Sequence, residues 1–112
     1  MTARSLTSQQ FKATFREGAR GVGDHAVVYV RPNGLAERRI GVTVGRRFGN
    51  AVRRNRLRRR LREAVRTLEV TLPAGVDVVC APRANAATAS FPELTFSLRR
   101  ALLDAGAMTG HG

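Results

Sequence analysis

The apolar positions of this chain change period from one segment to the next, and those changes predict its elements. Between Ser8 and Gly18, Phe11 and Phe15 stand four apart on one helical face, and Gly18 stops the helix. "DHAVVYVRPNG" predicts a strand from about His25 to Arg31, closed by a turn at Pro32-Asn33-Gly34. "RRIGVTVG" alternates, with Ile40, Val42 and Val44 facing one way and Gly41, Thr43 and Gly45 the other. It predicts a second strand, antiparallel to the first across a short loop. Leu57, Leu61, Ala64, Val65 and Leu68 then recur as one helical stripe; Asn50 is the expected N-cap, and Pro73 and Gly75 close the segment. "VDVVCA" is apolar at nearly every position, as a strand buried on both faces would be. After the loop "PRANAATAS", Ser90 caps a last helix with Pro92 in its first turn and Leu94, Leu98, Ala101, Leu102 and Ala105 on its buried stripe.

The expected order is therefore α-β-β-α-β-α. An α+β sandwich, with helices packed on a small mixed sheet, is the economical architecture. The 112 residues suffice for one core, so a single domain over 1–112 is expected, with frayed ends at 1–5 and 107–112.

Charge changes this picture. The formal net charge is +12, which destabilises a compact chain by self-repulsion and calls for a polyanionic partner. Nucleic acid is the first candidate, and anionic lipid is a weaker one. The lone Cys80 excludes an internal disulfide and sits where a small buried hydrophobe fits. No segment approaches membrane-spanning length, and a cytoplasmic location is the expectation.

The charge is also ordered in space. On a helical wheel with Leu57 at zero, Asn55, Arg59, Arg62 and Arg66 fall between about 140° and 200°, opposite the leucine stripe. Arg56 and Arg58 flank that stripe. Ten arginines between Arg46 and Arg66 meet only Glu63, whereas a merely solvated face interleaves both signs. The pairs Arg54–Arg58 and Arg58–Arg62 each cost about 0.2–0.5 kcal/mol by repulsion. Arg53, Arg54 and Arg56 crowd the positive end of the helix dipole, where a phosphate is the natural counter-charge. A docked helix presenting cations to an anion explains this better than a loose polycation does. Asn55, neutral between Arg54 and Arg56, adds a demand for geometry.

"GRRFGNAVRRNRLRRRLREAVR" closely resembles the signature of the bacterial ribonuclease P protein subunit family. Two basic residues, Arg46 and Arg47, end a strand. A Gly-Asn-Ala-Val segment starting at Gly49 includes Asn50, and the triplet Arg54-Asn55-Arg56 follows, with Arg58, Arg59 and Arg62 at further matching basic positions. The resemblance extends from Leu6 to about Gly106. It implies the family fold, described as ribosomal protein S5 domain 2-like, with a left-handed βαβ crossover around the basic helix.

The resemblance also implies that Phe11, Phe15, Val27 and Tyr29 line a cleft for the single-stranded 5′ leader of precursor tRNA. By themselves the two phenylalanines read more readily as core, although aromatic faces do stack unpaired bases. Gly45 departs from the family, where a small hydroxyl residue is common. Further implications are a catalytic RNA subunit that holds the Mg2+ ions and cleaves, and a 1:1 ribonucleoprotein in which this chain is an accessory subunit. The sequence agrees in one respect: His25 and His111 lie far apart along it, and its eight acidic residues are scattered. A structural RNA-binding protein of the ribosome is the alternative of similar size and charge. A DNA-binding regulator and a stand-alone nuclease fit less well.

Overall fold

The computed structural model describes residues 5–107. Its elements are α1 (Ser8–Glu17), β1 (Ala19–Val22), β2 (Ala26–Pro32), β3 (Arg39–Val42), α2 (Ala51–Leu68), β4 (Val76–Pro82) and α3 (Phe91–Asp104), with 3-10 turns at Arg46–Phe48, Glu69–Thr71 and Ala84–Thr88. All six elements expected from the pattern are present, and the fold is α+β.

Side chains start the helices. Thr7 and Gln10 form a capping box on α1, and Ser90 and Glu93 form one on α3. The Arg53 amide donates to Asn50 Oδ1 at 3.0 Å, so Asn50 caps α2 as the sequence predicts. The hydrogen bonds from Ser90 also hold the Glu93 carboxyl below its usual pKa.

The sheet corrects two expectations. Its strand order is β1-β2-β4-β3, with β4 antiparallel to β2 and parallel to β3. The first correction concerns pairing: β2 and β3 do not touch as a hairpin, because β4 lies between them. Every residue of β4 except Ala81 is buried, and only a central position supplies partners on both edges and cover on both faces. The parallel crossover β3–α2–β4 is as expected. The second correction is an added strand. β1 pairs antiparallel with β2, so the true hairpin lies one element earlier. "ARGV", set among glycines, reads as a breaker rather than a strand. The glycines have a tertiary cause: a Cβ on Gly21 would sit 1.9 Å from the Ala101 carbonyl oxygen, and one on Gly23 2.2 Å from that of Ser97. The backbone of α3 lies directly on β1.

Two layers cover the sheet. On one face, Val28, Val30, Val42, Val78 and Cys80 pack with the stripes of α2 and α3 in the main core. Burial pushes the Cys80 thiol up to about 12, so it is an inert hydrophobe at neutral pH. On the other face α1 lies over β4 and β2. There the Phe11 ring fills the space that a side chain at Gly41 would take. Buried Asp77 receives two hydrogen bonds from Arg39, at 2.6 and 2.8 Å, and a third from Asn33 at 3.0 Å. That cluster pins the β2–β3 connection to the central strand. Expected fraying at 1–4 and 108–112 lies outside the described residues. Ser5 is exposed, while Ala107 is buried and its amide donates to Leu102.

Gly21→Ala tests the β1–α3 contact. Its methyl meets backbone atoms that cannot rotate away, so a loss of about 1–3 kcal/mol is expected from the urea midpoint. An unchanged midpoint would mean that α3 does not lie on β1.

Candidate nucleic-acid interface

Five apolar side chains of α2 are buried: Leu57, Leu61, Ala64, Val65 and Leu68. Each leucine contributes about 1.5–3 kcal/mol on burial, more than each arginine pair costs by repulsion at i, i+4. The helix therefore docks by its stripe, and its cations are sorted by what remains. Asn55, Arg59, Arg62 and Arg66 form the exposed outer row. Arg53 and Arg56 are exposed on one flank, beside Arg60. Arg54 and Arg58 are half-buried on the other. The ion pairs Arg31–Glu17 and Arg39–Asp77 lie off this helix, as does the contact of His25 with Glu93.

The triplet Arg54-Asn55-Arg56 is thus split over three faces. Asn55 Oδ1 accepts from Arg58 Nη1 at 2.6 Å, which fixes that guanidinium relative to the helix. Arg54 Nε is buried and has no hydrogen-bond partner, a cost of about 1–3 kcal/mol. Arg60, which the sequence reading left out of the interface, reaches back to donate to the Ala89 carbonyl.

Arg46 and Arg47 stand exposed in the 3-10 turn before α2, and Gly49 at φ 110° redirects the chain into Asn50. The Arg47 guanidinium lies 4.9 Å from the centroid of the Phe48 ring. Gly45 has open space where its Cβ would be, so a hydroxyl side chain would fit there.

The predicted cleft residues are brought together in part. Val27 and Tyr29 face the same side of β2 and line an open trough of about 680 Å³. Phe15 of α1, 41% exposed, meets Tyr29 edge to face with centroids 4.8 Å apart. Neither phenylalanine is on the trough lining itself: Phe15 adjoins it through Tyr29, and Phe11 is half-buried over Gly41. Arg20, Arg47 and Arg83 stand on the trough lining, which contains no carboxylate. Arg20 and Arg83 were absent from the sequence reading. Arg20 pairs in register with Tyr29 through β1, the strand that the pattern did not show. Arg83 is held by donating from Nη1 to the Gly23 carbonyl at 3.1 Å. Arg47 is shared: it lines the trough and stands in the 3-10 turn that leads through Gly49 and Asn50 into α2, so the trough adjoins the start of the cationic helix.

Among the described residues, no three His, Cys, Asp or Glu side chains converge as metal ligands. No helix among them is long and apolar enough to cross a membrane. The arrangement can bind an extended anion carrying flat apolar groups.

Comparison with known proteins matches this arrangement to one family. The ribonuclease P family model covers residues 2–106. The chain belongs to the ribonuclease P protein family. The ribonuclease P protein component of Kocuria rhizophila is 41% identical over 102 residues, covering 91% of this chain and 90% of that protein. That of Caldanaerobacter subterraneus subsp. tengcongensis is 37% identical, covering 85% and 82%. The Thermotoga maritima RNase P protein structure superposes with a TM-score of 0.77 at 32% identity, covering 88% of this chain and 93% of that one. The Staphylococcus aureus RNase P protein has the same fold, with a TM-score of 0.82 at 24% identity over 96% and 100%.

Arg59→Gln and Arg62→Gln each remove one exposed outer-row cation and no core contact. Each should leave the urea midpoint unchanged and reduce the salt slope of RNA binding by roughly 0.7–0.9. A slope equal to that of the unmodified protein would exclude these residues from phosphate contact.

Proposed function

We propose that this protein is the accessory subunit of a ribonucleoprotein endonuclease that removes 5′ leaders from precursor tRNA. It binds the catalytic RNA subunit and the leader, acts in the cytoplasm as one protein per RNA, and cleaves nothing alone. The observation that carries this reading is the union, at Arg47, of an aromatic trough with an ordered cationic helix in a member of this family. The trough suits unpaired nucleotides: Tyr29 and Phe15 offer ring surface to bases of any sequence, and Arg20, Arg47 and Arg83 offer donors to the backbone. Arg46, Arg47 and the α2 arginines suit the phosphates of a folded RNA.

The chemistry is proposed to belong to the RNA, with Mg2+ held mainly by RNA phosphates and substrate. This chain contributes by lowering repulsion between two polyanions. Neutralising phosphates lets the complex assemble with fewer free divalent ions. Holding the leader adds binding energy that mature tRNA, once released, no longer receives, which favours turnover.

Two measurements test this. Added to a bacterial ribonuclease P RNA at low Mg2+, the protein should raise the rate of precursor processing; an unchanged rate overturns the assignment. Phe15→Ala and Tyr29→Ala should each weaken binding of leader-bearing precursor about tenfold while sparing mature tRNA, from stacking worth about 1–3 kcal/mol per base. Equal weakening of both RNAs would show that these rings do not read the leader.

A further inference from the structure

A second cavity, of about 290 Å³, lies between the flank of α2, the turn before it and the 3-10 turn Ala84–Thr88. Its lining is Phe48, Arg53, Arg56, Leu57, Arg60 and Ala87. Two properties distinguish it from the outer row. First, it is a concavity with an apolar wall. Leu57 is buried, and Phe48 is half-buried, packed against the core with the Arg47 guanidinium beside its ring. Second, it gathers charge of one sign: three guanidinium side chains and no carboxylate. Arg53, Arg56 and Arg60 fall between about 260° and 320° on the helical wheel, well away from the row at Asn55, Arg59, Arg62 and Arg66. The bond from Arg60 to the Ala89 carbonyl ties the two walls together.

These features define a ligand. Three clustered cations without a carboxylate ask for an anion. A bare phosphate would leave the Phe48, Leu57 and Ala87 wall unused and the space part-filled. A cavity near the lower end of the usual small-ligand range suits a unit the size of one nucleotide. We infer that this cavity receives one unstacked nucleotide of an RNA partner, its base against Phe48, Leu57 and Ala87 and its phosphate at Arg53 and Arg56. The inference rests on the RNA-binding function proposed above and adds a separate point of contact. On this reading α2 meets RNA in two ways: its outer row reads backbone charge along a folded RNA, and this flank captures a single extruded base. The pocket thereby adds a preference for a bulged or looped nucleotide at one place, which evenly spread charge does not supply.

Ala87→Trp tests it. Ala87 is exposed at the cavity wall, so an indole there occupies the space without removing a charge. Asn85→Trp is the control, adding the same bulk to an exposed position of the same turn outside the cavity. Binding is measured by salt titration in two arms, against a bacterial ribonuclease P RNA and against leader-bearing precursor tRNA, with the urea midpoint of each variant determined alongside. Ala87→Trp should lose about tenfold in affinity for one of the two RNAs, a loss that persists at high salt, and the arm that falls identifies the RNA that supplies the nucleotide. Asn85→Trp should bind both like the unmodified protein. Equal affinity of Ala87→Trp and the unmodified protein in both arms overturns the inference and leaves the proposed function standing. A loss that vanishes at high salt shows a phosphate site with no base in it and overturns the inference too. So does an equal loss in Asn85→Trp, or a loss accompanied by a fallen urea midpoint. Failure of the unmodified protein to bind either RNA overturns the proposed function as well.

Discussion

The rest of the molecule depends on where β4 lies. Val78 and Cys80 face the α2–α3 layer, Val79 faces α1, and Asp77 is buried with them. A strand with apolar residues on both faces is stable only at the centre of a covered sheet. Its insertion between β2 and β3 pushes those strands apart and makes β3–α2–β4 a parallel crossover. The crossover lays α2 across the sheet with its leucines down. The same insertion sets Tyr29 against Val79 and Val27 against Ala81, so the outer face of the sheet becomes the floor of the trough. The cationic helix and the aromatic trough are consequences of one strand placement.

Electrostatics runs against this packing. The helix holds eight arginines and one glutamate over 18 residues, and the burial of its stripe overcomes their mutual repulsion. The excess charge remains available to a partner. It is distributed unequally: an outer row free in solvent, a half-buried flank around Arg54 and Arg58, and a flank that closes a cavity with Arg60. Equal arginines in the sequence therefore stand in unequal surroundings.

Legibility followed the range of the forces. α1, α2 and α3 were readable because helix periodicity and caps are local: Asn50 and Ser90 are the caps the sequence marks, and Thr7 caps α1 in the structure. β4 was readable as buried because a run of apolar residues has few other uses. β1 was not, because Gly21 and Gly23 look like breakers until α3 is seen lying on them. Arg20 and Arg83 stayed hidden for the same reason, since their neighbours in space are remote in the chain. Phe11 and Phe15 shared one helical face, yet one covers Gly41 and the other meets Tyr29.

What the chain carried by itself was every helix and strand except β1, the amphipathic sorting of α2 and the excess of positive charge. Each is written in the spacing of neighbours along one helix or strand. Tertiary structure alone decided that β4 parts β2 from β3, that β1 completes the sheet, and that Arg47 joins the trough to the helix. Strand order and the convergence of side chains depend on pairings between distant residues, and a period of 2 or 3.6 residues holds no record of which strand will be the neighbour.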